Sequence, residues 1–480
     1  MNGLIPSVAE GSRWANVIRP LRSRNYRLFF VGQGISLIGT WMQITALLWL
    51  VGTKFPDERT AAFWLGIVGF SGQIPAFLLT PLAGAWADRW NRRWMVVATQ
   101  TLAMVQSFIL AALTLTGQIE IWHIVALSLW SGAINAVDVP TRQAFVVEMI
   151  DRPEDLTSAI ALNSSIFNAG RLVGPALGGI LTALLGVGAC FLLNGFSFLA
   201  VIVALLAMRV KPRPARVRKR VIHNLVEGFQ YAFAFPPIRA LLLIMALVSL
   251  LGAPYSSLLP AFAVHVLSCG PRGYGALVAA VGVGALAGAI SLASRSSVRG
   301  LGRVILLAPV LFGAGLIGFS LNRSFLLALL LMPVLGLGQI LLMASCNTVL
   351  QTIVDDDKRG RVMSFYSLSF MGMFPFGNLL AGVAAREMGL SLTMAIGGAA
   401  CVLGALDFWR KLPALRKLVR PIYISKGIIP EVATGLQAAT EQSGGSEQGG
   451  NGTTPAGPQA ETPAESGGSD GSDRSDGSDG

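Results

Sequence analysis

Gly170-Arg171-Leu172-Val173-Gly174-Pro175-Ala176-Leu177-Gly178-Gly179 lies in the middle of a long apolar run and joins two features that a membrane helix normally avoids. Arg171 carries a permanent charge toward the hydrocarbon centre, which is costly unless it is paired or faces a wet cavity. An arginine there is a functional candidate by default. Pro175 removes a backbone donor beside it. Gly170, Gly174 and Gly178 recur every four residues and form a smooth ridge that another helix backbone can approach closely. The stretch reads as a bent, tightly packed membrane helix.

The rest of the chain agrees. Its 480 residues are 53% hydrophobic and 13% charged, with a mean hydropathy of +0.61, values that exclude an ordinary soluble domain. Residues 1–25 hold Arg13, Arg19, Arg22 and Arg24 with no long apolar run before Tyr26, so no cleavable signal peptide is expected. The net charge of +12 does not point to nucleic acid, because the positive residues cluster beside apolar segments, where they set topology. Cys190, Cys269, Cys346 and Cys401 are scattered without metal-ligand spacing, His123, His223 and His265 lie far apart, and no phosphate-binding loop is present. These patterns predict no metal, no cofactor and no catalytic residues, and argue against a membrane enzyme.

A span needs about 20 mainly apolar residues. Twelve are predicted, near 27–51, 63–86, 94–116, 121–146, 157–186, 188–208, 239–263, 274–294, 303–321, 325–346, 361–385 and 391–409. The odd-numbered connections are short and poor in positive charge. The even-numbered ones carry Arg89, Arg92 and Arg93, the run Arg209 to Arg220, then Arg295, Arg299 and Arg303, and Arg359 and Arg361, with Arg410 and Lys411 after the last span. The positive-inside rule therefore places both termini in the cytoplasm. The organisation expected is a cytoplasmic segment 1–25, a six-helix bundle 26–208, a cytoplasmic linker 209–238, a second bundle 239–412, and a largely disordered cytoplasmic tail 413–480 rich in Gly, Ser and acidic residues. A weak echo supports the division: Gly174, Pro175, Gly178 and Gly179 in span five find Pro375, Gly377 and Gly382 in span eleven. Repeated halves are a common transporter plan.

At about 100° per residue, Gln33, Ser36, Thr40 and Gln43 share one face of span one, and Ser128, Ser131, Asn135, Asp138 and Arg142 share one face of span four. Span ten repeats the pattern with Gln339, Met343 and Asn347, and span seven more weakly with Ser249, Ser256 and the broken stretch Gly252 to Pro254. Any single hydroxyl is explained by hydrogen bonding between helices. Stripes on every third span predict a central, water-accessible cavity.

Between spans two and three stands Gly84-x-x-x-Asp88-Arg89-x-x-Arg92-Arg93. It resembles the cytoplasmic-loop signature of the major facilitator superfamily, whose members have twelve helices in two pseudo-symmetric six-helix bundles around a central cavity. The resemblance implies a cytoplasmic gate in which Asp88 faces the start of span eleven near Arg359 to Ser364, and Arg92 or Arg93 pairs with Glu148. Positive-inside anchoring alone accounts for the arginines but not for Gly84 and Asp88 at their offsets. Gly170-x-x-x-Gly174-Pro175-x-x-Gly178-Gly179 resembles the helix-five antiporter signature of drug exporters in the same superfamily, with Ala161 standing where glycine is common. In that family the motif packs helix five on helix eight, where Gly284 and Gly288 offer a small-residue face. Asp138-Val139-Pro140-Thr141-Arg142-Gln143 and Leu162-Asn163-Ser164 are similar to the branch containing macrolide and enterobactin exporters. The resemblance covers residues 20–412.

Proton coupling needs a titratable group within the spans, and Asp138 is the best placed of Asp138, Glu148 and Asp407. Burial favours its neutral form, whereas Arg142 or Arg171 favours the carboxylate. A static Asp138–Arg142 pair one turn apart is an equal alternative. The function expected is a secondary active transporter, monomeric because each half can supply the other's interface, that exports a mainly hydrophobic small molecule (drug, siderophore or metabolite) in exchange for protons across the cell membrane. The alternatives are a lysophospholipid transporter, an uncoupled facilitator or importer, and a non-transporting sensor on the same scaffold.

Overall fold

The computed structural model describes residues 18–150, 152–209, 230–295 and 297–428, and for residues 81–89 the backbone alone. The expectations for most of the 209–238 linker, for the tail beyond residue 428 and for the side chains of Gly84, Asp88 and Arg89 lie outside the described residues.

Among the described residues the long elements are all helices: α1 (Arg24–Lys54), α2 (Glu58–Arg89), α3 (Arg92–Leu115), α4 (Ile121–Val146), α5 (Leu156–Leu185), α6 (Val187–Ala207), α7 (Pro236–His265), α8 (Pro271–Ala293), α9 (Leu301–Leu321), α10 (Phe325–Ile353), α11 (Arg359–Met388) and α12 (Leu390–Ser425). Eleven of them are long and apolar enough to cross a membrane. α5 is the exception. It has the length, 30 residues, but Asn163, Asn168 and Arg171 dilute its hydropathy. The expectation of twelve membrane helices in two halves stands, with α5 the least apolar of them.

The twelve helices form two six-helix halves that repeat one another. α1 packs on α5 and α6, α2 on α4, and α3 on α4 and α6; six helices later α7 packs on α11 and α12, α8 on α10, and α9 on α10 and α12. The connections repeat as well. α5 passes into α6 through Gly186 at φ 82°, and α11 into α12 through Gly389 at φ 89°. A residue with a Cβ is strained in that conformation, so glycine lets each helix pair reverse within a single residue.

Both α7 and α11 contain a π-turn, at Val248–Gly252 and at Leu368–Gly372. Such turns loosen the regular backbone ladder and free a carbonyl. The two meet: the Ser249 hydroxyl in one donates to the Phe370 carbonyl in the other. Two further boundaries depart from the sequence reading. α10 runs to Ile353 and α12 to Ser425, well past residues 346 and 409. Beyond residue 409 the charge density ends the hydrophobic span, yet Leu412 and Leu415 remain buried and keep the helix amphipathic.

Candidate transport pathway

The halves meet mainly along two seams, α2 against α11 and α5 against α8, and α7 also packs on α1 and α2. At each seam glycines bring two backbones into contact. A Cβ on Gly66 would lie 2.6 Å from the Asn378 carbonyl oxygen and from the Gly382 Cα, and a Cβ on Gly179 would lie 2.5 Å from the Pro271 oxygen and 2.9 Å from the Gly275 Cα. These contacts, with Arg59 donating to the Glu387 carbonyl at 3.2 Å, all lie toward the odd-numbered connections. The seams are sealed at that end. The α2–α11 seam continues to Phe77 and Phe376, whose ring centroids are 5.5 Å apart. Toward the even-numbered connections α5 loses its cover: Ile160, Ser164, Ser165, Phe167 and Asn168 are exposed, as are Leu368 and Met371 of α11.

The α5 motif divides its glycines between two neighbours. Gly170, Gly174 and Gly178 form a ridge against α1, where added Cβ atoms would lie 3.2 Å from Leu37 Cβ, 2.5 Å from Trp41 Cβ and 3.0 Å from the Met42 oxygen. Gly179 and the Pro175 carbonyl face Gly275 of α8. The expectation that the whole motif packs on α8 through Gly284 and Gly288 is corrected. Those two glycines pack against Pro333, Leu337 and Ile340 of α10, and α8 presents Gly275 and Gly282 to α5 instead. Consecutive residues on a helix point about 100° apart, so Gly178 and Gly179 cannot serve one partner. The echo in α11 has the same division: Gly377 meets Leu250 of α7, and Gly382 meets Gly66 of α2.

Asp138 is 2% exposed. Its Oδ2 forms an ion pair with Arg142 Nη2 at 2.6 Å, and its Oδ1 accepts from Thr99 Oγ1 at 2.7 Å and from Gln100 Nε2 at 2.9 Å. The carboxylate is thus held between α3 and α4 by one cation and two neutral donors, the arrangement that a buried charge requires. Thr99 also lines an apolar groove of about 760 Å³ among α2, α3 and α4, with Trp90, Trp94 and Trp130 on its walls. Arg171 stands apart from this cluster. It is half-buried, makes no hydrogen bond or ion pair with a described residue, and lies within electrostatic reach of Tyr255, which is buried in α7.

The polar stripes separate into two kinds. In α1, Gln33, Ser36 and Gln43 are buried, and Gln43 belongs to a network inside the first half. Its Nε2 donates to Gln106 Oε1 at 3.1 Å, and its Oε1 accepts from Ser107 at 2.7 Å and from Asn194 at 2.9 Å. Gln43 is therefore turned away from the second half, and its placement on a cavity wall is corrected. A helical wheel groups residues on a face but does not say which neighbour that face meets. Thr40 is half-buried and returns its hydroxyl to the Ser36 carbonyl. Asn135 is exposed and bonded to the Ser131 carbonyl at 3.0 Å. Gln339, Met343 and Asn347 of α10 are half-buried; the Met343 carbonyl accepts from Tyr366, and Asn347 accepts from Gln351. Sequence reasoning missed Thr99, Gln100, Gln106 and Ser107. The signal was there: 99 and 106, like 100 and 107, stand seven residues apart and so share a face of α3.

At the even-numbered end Arg92 Nη1 pairs with Glu148 Oε1 at 2.8 Å, tying the start of α3 to the end of α4. Arg93 instead donates to the carbonyls of Leu205 and Leu206 at 2.9 Å each. It satisfies carbonyls that the end of α6 leaves without helical donors. The N-terminal segment joins the same end, through an ion pair of Arg19 with Asp155 and a two-way bond between Asn25 and the Arg209 backbone.

Two repeated six-helix halves, joined by glycine contacts toward the odd-numbered connections, are the arrangement of a major facilitator superfamily transporter. Residues 15–421 match the family model described as transmembrane secretion effector, and the chain belongs to that family. It is 25% identical to the staphyloferrin A transporter of Staphylococcus aureus over 80% of this chain and 95% of that protein. It is also 25% identical to the multidrug efflux pump Tap of Mycolicibacterium fortuitum, over 79% and 93% of the two chains. Among solved structures, a bacterial homologue of the human lysosomal transporter Spinster, in an inward-facing and unoccupied conformation, is similar with a TM-score of 0.60 and 16% identity over 86% of this chain and 100% of that one. The chain is a multi-pass membrane protein with the fold and family of small-molecule transporters.

Proposed function

We propose that this protein exports a mainly hydrophobic small molecule from the cytoplasm across the plasma membrane, in exchange for protons, by alternating access between its two halves. The single observation that supports this most is the pairing of a sealed end with an uncovered one. The glycine contacts at Gly66–Gly382 and Gly179–Gly275 close the seams toward the odd-numbered connections, while Ile160, Ser164, Ser165, Phe167 and Asn168 of α5 are exposed toward the even-numbered ones. The positive-inside rule assigns the even-numbered end, with both chain termini, to the cytoplasm. On this reading the described conformation receives substrate from inside.

The residues take separate roles. Asp138 is the proton acceptor: when protonated it no longer holds Arg142 by charge, and the α3–α4 contact through Thr99 and Gln100 loosens. Arg171 lies on α5 within electrostatic reach of Tyr255 in α7 and has no counter-ion among the described residues, so it suits a polar or anionic group on an otherwise apolar substrate. Asn135, Gln339, Met343 and Asn347 offer hydrogen-bonding and apolar surface around it. The Arg92–Glu148 pair, with Gly84, Asp88, Arg89 and Arg93, forms the cytoplasmic gate. A siderophore or an antibiotic fits this description, in keeping with the names of the staphyloferrin A and Tap relatives. A second reading, transport of a lysophospholipid or similar solute, is favoured by the apolar groove among α2, α3 and α4.

Inside-out vesicles carrying the purified protein test the reading. Dyes, macrolides and siderophores are added in turn to vesicles holding an imposed pH gradient. Export coupled to protons predicts dissipation by one compound class and loss of that response in Arg171→Ala. Uptake of lysophospholipid with no proton movement would replace this reading with the second.

A further inference from the structure

The extension of α12 past its apolar span builds a cleft that the transport cycle does not use. Near the even-numbered end, α12, the start of α7 and the start of α9 enclose about 440 Å³. The floor is apolar, with Leu241, Ile305, Phe408, Leu412 and Leu415. Four arginines stand on it: Arg299 and Arg303 from the entry to α9, and Arg416 and Arg420, one turn apart, from the extension. Among the described residues no carboxylate lines the cleft. Arg299 donates to the Ile428 carbonyl, which ties the end of α12 down beside it. The side chains of Arg303, Arg416 and Arg420 form no ion pair or hydrogen bond with a described residue. Nearby Asp407 is occupied by Lys411 at 2.6 Å and does not line the cleft.

A second feature points the same way. α9, 21 residues long, begins at Leu301 on this cleft with no side chain capping its first turn. The amides of Leu301 and Arg303 are bonded to the Val298 and Gly300 carbonyls, and it is the positive end of the helix dipole that favours an anion there. Gly300 and Gly302 also line the cleft, and the Leu412 side chain lies 3.4 Å from where a Cβ on Gly302 would stand.

We infer that this cleft is a binding site for an anionic phospholipid. Its phosphate is held by Arg303, Arg416 and Arg420 at the first turn of α9, and its acyl chains lie along Leu241, Ile305 and Phe408. Charge complementarity alone fits any phosphate. The continuity of the arginines with an apolar floor selects a lipid, since a soluble phosphate has no use for that floor. Basic pockets between membrane helices at one face of the bilayer are recognised by acidic headgroups in this manner. The lipid would brace the α12 extension against α7 and α9.

Native mass spectrometry of the full-length protein in detergent, titrated with phosphatidylglycerol or phosphatidylethanolamine of the same chain length, reads the preference directly. The expected result is retention of phosphatidylglycerol at about tenfold lower concentration than phosphatidylethanolamine. Arg416→Gln combined with Arg420→Gln should reduce that preference about tenfold or more, while Arg323→Gln, at the opposite end, leaves it unchanged. Should the double variant fold poorly, Arg303→Gln serves the same purpose. Equal retention of the two lipids by the wild-type protein overturns the assignment without any variant. So does displacement of phosphatidylglycerol by glycerol 3-phosphate or inorganic phosphate at equal concentration, which would make the cleft a soluble-anion site.

Discussion

The two halves share one helix arrangement but hold themselves together differently. The first half is laced with buried polar contacts: Gln43, Gln106, Ser107 and Asn194 form one network, and Asp138, Arg142, Thr99 and Gln100 another. In the second half Ser257 donates to Asn378 at 3.0 Å, and aromatic contacts, like that of Phe108 on Phe196 in the first, join its helices, Tyr255 on Phe312 at 5.8 Å and Phe262 on Phe319 at 4.6 Å. Its irregularities are backbone ones, the π-turns of α7 and α11 joined by Ser249. Duplication supplies a scaffold, and each copy is free to specialise. Here a buried ion pair belongs to one half and loosened helices belong to the other. The asymmetry suits a cycle in which a charge change in one half is answered by bending in the other.

The comparison breaks most severely at the ion pair. Arg142→Leu leaves Asp138 as an uncompensated buried charge and is expected to cost about 3–5 kcal/mol, seen as a large fall in thermal unfolding temperature in detergent. Adding Asp138→Asn to that variant should recover most of the loss. A recovery confined to less than half would place the stability elsewhere in the α3–α4 contact. Next in size is the seam. Gly179→Val pushes a side chain into the Pro271 and Gly275 backbone of α8, disfavouring the sealed end by about 1–3 kcal/mol. Transport should fall roughly tenfold or more, and cysteine labelling near the odd-numbered connections should rise. Unchanged labelling would show that the glycine contact does not hold that end shut.

Gln43→Leu removes the hub of the first network and should destabilise by about 1 kcal/mol, measured as a shift of unfolding temperature with transport direction unaffected. A defect in substrate affinity without loss of stability would return Gln43 to the cavity wall. The smallest effect is expected for Ser249→Ala. Loss of one hydroxyl between two π-turns costs about 0.5–1 kcal/mol and should alter transport rate more than substrate affinity.

Much of the scaffold was legible because membrane insertion writes it into composition. Apolar run lengths locate the helices, and the echo between Gly174–Gly179 and Pro375–Gly382 correctly pairs α5 with α11. Orientation about each helix axis was harder. The same wheel that groups Gln33, Ser36 and Gln43 fits a cavity or a neighbouring helix, and only the partners Gln106, Ser107 and Asn194 decide between them. Gly284 and Gly288 were assigned to the wrong neighbour for the same reason. α12 ran on past residue 409 because hydropathy reports the bilayer boundary, not the end of a helix. The partners of Asp138, Thr99 and Gln100, lie on α3, where polar positions are outnumbered by apolar ones and form no continuous stripe.

The most direct test of proton-coupled export is a measurement of substrate-driven proton movement in Asp138→Asn, in vesicles where the wild-type protein dissipates a pH gradient. Asparagine keeps the shape and the acceptor for Thr99 and Gln100 but cannot load a proton. The account predicts that substrate still binds while proton movement is lost. Full coupling in the variant would contradict it, leaving Asp138 and Arg142 as a static pair that holds α3 and α4 together.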